Sequence, residues 1–204
     1  MTRDSWPPFE NPDGTGISRD IIVKALAYSN SEAEFIAVPY ARALRMTEKG
    51  LVDCVFNVTK QGSTTDKFIF GKEPLLQVKA SYFYSLNNKM SYKAPADNTV
   101  AGVIIGYEYG NEYESHRHRF KEVKVSHQQQ IIKMLIRDKI EVAIMFDKVA
   151  EFTLKEMHRD LDVIYKGHIN HISDIYIGFS KEIENVDKKI QLLDMGLSKL
   201  KSYI

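Results

Sequence analysis

Short apolar runs of strand type alternate with segments of helical periodicity along nearly all of this chain, and that alternation narrows the available folds more than any other feature. Strands that succeed one another through helices tend to lie parallel in a sheet, because parallel pairing requires a long crossover rather than a tight turn. After Trp6-Pro7-Pro8-Phe9 and the turn cluster Asn11 to Gly16, apolar residues at Ile17, Ile21, Ala25 and Leu26 mark one helix face, with Ser18 as its expected cap. Phe35 to Val38 reads as a strand, Ala41 to Lys49 as a helix stopped by Gly50, Val52 to Val58 as a buried strand and Leu75 to Leu86 as a long extended strand. The polar stretch Asn87 to Asn98 is the clearest break in the pattern.

A second series begins at Val100. Val103 to Ile105 reads as a strand, Asn111 to Phe120 as a weakly periodic helix and Val123 to Val125 as a strand. Ile131, Ile132, Leu135 and Ile136 stripe the next helix, and Val142 to Phe146 is a strand followed by a helix over Val149 to Met157. Leu161 to Tyr165 and Ile175 to Phe179 read as two separate strands, after which Ser180 is expected to cap a final helix carrying Ile183, Val186, Ile190, Leu193, Leu197 and Leu200. The expected class is α/β.

The charge balance excludes several functions. Lys and Arg number 28 against 27 Asp and Glu, which leaves no bulk attraction for nucleic acid or an anionic membrane. The basic stretch His116 to Lys121 reads as a solvated helix end. No apolar run approaches the roughly 18 residues of a membrane-spanning helix, so no direct membrane insertion is expected. Cys54 is the only cysteine, which rules out an intrachain disulfide and makes it most simply a small buried hydrophobe. The histidine spacings are poor for a metal, and no phosphate loop, dinucleotide fingerprint or nucleophile elbow is present, so no cofactor is expected.

Several chemistry-bearing residues fall where predicted strands end, the places at which open α/β sheets collect ligand-contacting groups. In order, the chain shows Trp6-Pro7-Pro8-Phe9, Asp13-Gly14-Thr15-Gly16 before a helix, Val38-Pro39-Tyr40, a helix ending in Gly50-Leu51-Val52-Asp53, the polar tip Asn57-Val58-Thr59, and Phe68-Ile69-Phe70-Gly71-Lys72-Glu73-Pro74. In this ordered set the sequence resembles the extracellular solute-binding proteins of family 3, the periplasmic amino-acid-binding components of bacterial ABC importers. The likeness runs from Trp6 to about Ser202.

That resemblance implies a two-lobe, periplasmic-binding-protein-like fold of type II, each lobe a mixed sheet flanked by helices, joined by two crossover strands near Tyr82 to Tyr84 and Asp174 to Tyr176. Lobe one would comprise residues 1–84 plus 177–204 and lobe two residues 85–176, closing by hinge motion on a small solute. It also implies a periplasmic location, although Met1 to Ser5 is no secretion signal, and an ABC transporter permease as partner.

The same resemblance assigns roles. Trp6 and Tyr40 would sandwich the solute through dispersion and cation–π attraction, although both also suit a plain core. Asn57, Val58 and Thr59 would hold a carboxylate with backbone N–H and hydroxyl groups, and Asp147 would pair with an α-ammonium group or, more simply, cap a helix. Two departures stand out. Where most relatives carry an Arg that grips the carboxylate bidentately, this chain has Gly62-Ser63-Thr64-Thr65-Asp66, leaving Thr64 at that position. Where a Gly-Ser/Thr pair would open a helix, it has Gly106-Tyr107-Glu108-Tyr109-Gly110. Losing a cation and gaining an anion disfavours an α-carboxylate, so the expected ligand is a neutral or cationic solute, with Glu108 and Asp147 as acceptors and Trp6, Tyr40, Tyr107 and Tyr109 as walls. An equal alternative is a cleft that has lost affinity or one in which Glu108 faces solvent, the default for Glu; the rival functions are a ligand-sensing module and a cyclohexadienyl-dehydratase-like enzyme using Glu108 and Asp147 as an acid/base pair.

Overall fold

The computed structural model describes residues 6–87, 95–105, 107, 109–160 and 163–201. The chain forms two compact units, one made of Met1–Gln77 with Asp174–Ile204 and one of Val78–Ser173. It passes between them twice, within the strands β3 (Leu76–Ser85) and β7 (Ile164–Ser180).

Unit 1 contains α1 (Ile17–Ala27), α2 (Tyr40–Glu48), β1 (Cys54–Thr59), the single turn α3 (Gly62–Thr65), β2 (Phe68–Phe70), the C-terminal part of β7 and, after it, α7 (Val186–Lys201). β1 and β2 each pair antiparallel with β7. Between Val55 and Val58 the register slips, and Asn57 sits there at φ +61°, the left-handed geometry of a β-bulge. Ile22, Phe56, Leu75, Ile177, Phe179, Leu193 and Leu197 form the core under this sheet. Helices α1 and α7 approach closely because Gly196 carries no side chain, a Cβ there falling 2.1 Å from the Ala25 carbonyl oxygen.

Two expectations fail in unit 1. Phe35–Val38 is no strand among the described residues; its apolar character serves packing, with the Phe35 ring edge-on to Phe56 at 6.0 Å. Ser180 ends β7 and accepts a hydrogen bond from the Glu182 amide, six residues before α7 begins.

Unit 2 contains most of β3, then β4 (Val100–Ile104), α4 (Gly110–His116) with a 3₁₀ turn at Arg117–Arg119, β5 (Lys121–Val125), α5 (Gln128–Ile136), β6 (Val142–Phe146), α6 (Asp147–Glu156) and the first part of β7. β4 lies parallel between β5 and β6, and β6 is antiparallel to β3. Phe83, Ile104, Ile131, Ile132, Leu135, Ile140, Met145 and Leu154 build its core, each such side chain contributing about 1.5–3 kcal/mol on burial. The two strands expected at Leu161–Tyr165 and Ile175–Phe179 are one strand of 17 residues. The polar run between them reads as a loop, yet a strand exposed along much of its length has no need of apolar alternation there.

Candidate functional site

In unit 1 the opening turn and the bulge at Asn57 are tied together by hydrogen bonds. The opening turn folds on itself through Trp6 and Glu10, and Trp6 is 3% exposed with its ring 4.5 Å from Phe9. The carbonyl of Phe9 accepts from the Ser18 amide, and the Ser18 hydroxyl donates to Asn57 Oδ1 at 2.6 Å. Ser18 is therefore no cap, a position held by Gly16, but a buried strut fixing the bulge at Asn57.

Thr64 has a comparable duty. Its hydroxyl lies 2.7 Å from the Thr59 carbonyl, which accepts from it, and it accepts from the Gln61 amide at 3.0 Å, locking the turn after β1. The Thr64 hydroxyl, expected among the ligand contacts, is thus engaged within the turn itself. Val58 buries its side chain with Val55 and Phe68, and Tyr40, half-buried at the start of α2, packs on the same cluster. Lys60 stands 5.6 Å over the ring of Tyr176. A cavity of about 520 Å³ also lies in unit 1, lined by Ile22, Phe35, Cys54, Phe56 and Leu193 among others, but none of the expected site residues borders it. Burial pushes the Cys54 thiol there up to about 11, which leaves it unreactive.

Unit 2 gathers its groups at the carboxyl ends of parallel strands. The chain leaves β4 toward β5 on one side and later returns to β6 on the other. Such a reversal leaves a crevice at the carboxyl ends of the two strands, where open α/β sheets place ligands. Tyr107 follows β4 and Asp147 follows β6. Phe146 takes the N-cap position and Asp147 the first helical one, so the expected capping role lies one residue earlier. Asp147 is 9% exposed; Lys166 of β7 donates to its Oδ2 at 2.6 Å, while its Oδ1 is buried with no hydrogen-bond partner among the described residues.

Aromatic rings cluster on Phe146, the residue that precedes this acid. Tyr107, half-buried, has its ring 6.0 Å from that of Phe146. Tyr109, expected as a wall, is instead a core residue, 1% exposed, whose hydroxyl accepts from the Ile104 amide at 2.8 Å and is held well above the usual phenol range by burial. The Asn170 side-chain nitrogen donates to the Tyr109 carbonyl at 2.8 Å and lies 2.7 Å from His171 Nδ1. With Nδ1 accepting, the ring proton resides on Nε2, and that nitrogen is buried without a partner among the described residues. His171 lies edge-on to Phe146 at 5.8 Å. Gly110, at φ +81°, permits this approach, since a Cβ would stand 2.9 Å from His171 Cβ. Gly106 and Glu108 lie outside the described residues.

Lys166, Asn170 and His171 are absent from the sequence expectation because β7 reads there as a loop. The basic stretch His116 to Lys121 is internally compensated, with Arg117 bound to Glu114 and Glu122 and Arg119 to Asp97. No helix among the described residues is long and apolar enough to cross a membrane.

No family model and no curated protein matches the sequence. Solved structures do match. An ancestral amino-acid-binding protein, AncCDT-1, described as a precursor of cyclohexadienyl dehydratase, is 15% identical at a TM-score of 0.73, covering 98% of this chain and 87% of its own. The amino acid ABC transporter substrate-binding protein AbpA from Streptococcus pneumoniae, bound to L-arginine, is 16% identical at 0.73, covering 99% and 87%. A histidine kinase sensor domain with similarity to periplasmic binding proteins is 13% identical at 0.73, covering 99% and 89%. With Tyr107 and Asp147 at the switch point of one parallel sheet and likeness to these structures along almost its whole length, the chain has the α/β fold of the type II periplasmic binding proteins and is similar in structure to their amino-acid-binding members.

Proposed function

We propose that the chain is a solute-binding protein that captures a small polar molecule for an ABC importer, each unit carrying its own set of ligand groups. One observation carries the reading: Asp147 lies nearly out of solvent at a strand-end switch point with one carboxylate oxygen buried and unpartnered among the described residues. An acceptor withdrawn from water without a partner is costly, and a solute donor would relieve that cost. Tyr107, half-buried just after β4 at the same switch point, offers flat apolar surface to the body of a solute. In unit 1, the turn tied by Thr64 and the bulge tied by Ser18 give the Asn57–Thr59 tip a fixed backbone. A sensory role is the second reading, favoured by the equal likeness to a histidine kinase sensor domain.

A thermal-shift screen with amino acids, amines, polyamines, sugars and short peptides tests solute binding. A ligand at a hundred times its Kd adds about 2.7 kcal/mol, and each kcal/mol raises the midpoint by about 2–4 °C for a chain of this size. Saturable stabilisation that disappears in Asp147→Ala is the expected result. Shifts that survive unchanged in Asp147→Ala would remove this acid from the site.

A further inference from the structure

Asp147 and Lys166 form an ion pair of uneven exposure, the carboxylate side chain 12% exposed and the ammonium-bearing side chain 47%. Only Oδ2 is engaged; Oδ1 is buried without a partner among the described residues. The lysine therefore neutralises the charge of the acid and leaves one directional acceptor unsatisfied.

We infer that Lys166 is a built-in counter-ion that sets the solute class of the site, which takes neutral, hydroxyl-bearing molecules and discriminates against amines. The inference rests on the solute-binding reading above. An incoming ammonium group would meet a carboxylate already holding a cation at 2.6 Å, so it would either leave the pocket with a surplus positive charge or have to displace Lys166. A neutral hydroxyl faces no such conflict. It donates to Asp147 Oδ1, and a neighbouring hydroxyl on the same molecule accepts from Lys166 Nζ, which has two further N–H groups besides the one on Asp147. A hydroxyl both donates and accepts, matching a pair that offers an acceptor at Asp147 and further donors at Lys166. The expectation of a cationic solute counted Asp147 as an uncompensated anion, and Lys166 removes that ground.

The test uses the whole chain and a Lys166→Gln variant, titrated in thermal-shift and calorimetric experiments with a neutral set (D-glucose, D-ribose, myo-inositol) and an amine set (putrescine, L-arginine, L-glutamine). The wild type is expected to bind at least one neutral solute and to bind every amine at least tenfold more weakly. Lys166→Gln, with Asp147 released, is expected to gain at least tenfold for an amine. Wild-type chain that takes an amine more tightly than any neutral solute overturns the counter-ion role and leaves the solute-binding reading standing; that measurement decides the matter even if the variant does not fold. Equal amine affinity in wild type and variant has the same consequence. No shift with either set in either protein overturns both.

Discussion

The tip of unit 1 and the strand ends of unit 2 use polar side chains in opposite ways. Around Asn57 and Thr64 the side-chain bonds close back on the protein, Ser18 to Asn57 and Thr64 to Thr59 and Gln61. Around Asp147 and His171 two buried polar atoms have no such closure among the described residues. Self-satisfied polar groups rigidify a backbone, whereas unsatisfied ones store a demand that a ligand can meet. Unit 1 thus looks built for shape and unit 2 for chemistry, and substitutions in the two should fail differently.

The largest effect is expected at Asp147. Asp147→Ala removes a charged hydrogen-bond partner, which is worth about 1.5–3 kcal/mol, or about 10- to 100-fold in Kd, measurable by calorimetry with any solute that stabilises the wild type. If affinity instead follows unit 1 substitutions and ignores Asp147, the contrast between the units is wrong.

Asn57→Ala should act on stability. It places a residue with an unfavourable left-handed preference at φ +61° and leaves the buried Ser18 hydroxyl without its acceptor. A loss of about 2 kcal/mol, of the size usual for an orphaned buried group, would lower the midpoint by about 4–8 °C. Asn57→Gly, which relieves the backbone but not the hydroxyl, should lose less. Equal losses would mean that backbone conformation plays no part.

Thr64→Val comes next. It keeps the branched shape and deletes the hydroxyl that joins Gln61 to Thr59, at a cost of about 1 kcal/mol. Denaturant unfolding should register that loss while solute affinity changes by less than about threefold, roughly 0.65 kcal/mol. A larger fall in affinity with unchanged stability would restore Thr64 to the ligand-holding role expected of it.

Much of this arrangement is legible in the sequence, and the illegible parts share a cause. Helix periodicity at Ile131, Ile132 and Leu135 and the apolar run Val142 to Phe146 report burial directly, so α5 and β6 are found within a residue or two. Asp147 stands at the end of β6 as expected, because strand ends are predictable from the runs that precede them. Lys166 and His171 are not, because their meaning lies in partners distant along the chain: Lys166 reaches an acid 19 residues earlier. Tyr109 and Ser18 mislead for the complementary reason. Their types suit a wall and a cap, but a hydroxyl one turn from a strand end or a bulge is as readily engaged by the backbone or an amide. The Phe35–Val38 pattern has the composition of a strand, and composition records burial rather than pairing.

The smallest effect, and the one that best isolates unit 2, concerns pH. Burial holds the His171 imidazole below its ordinary value of 6.5, with the Glu114 charge acting against it. The unfolded chain then binds a proton that the folded chain resists, so this residue's contribution to stability is present above about pH 6.5 and is lost as the pH falls through the depressed folded value. Denaturant unfolding between pH 5 and 8 should show wild-type stability falling on the acid side, and His171→Gln should flatten that fall without abolishing it, since other groups also titrate there. Protonation also adds a positive charge to unit 2, and a solute affinity that weakens over the same acid interval in the wild type but not in the variant would bring His171 into the site. Stability that falls with acid while affinity stays level would assign His171 to packing against Gly110 and Phe146 alone, and the chemistry of unit 2 would then reduce to the Asp147–Lys166 pair.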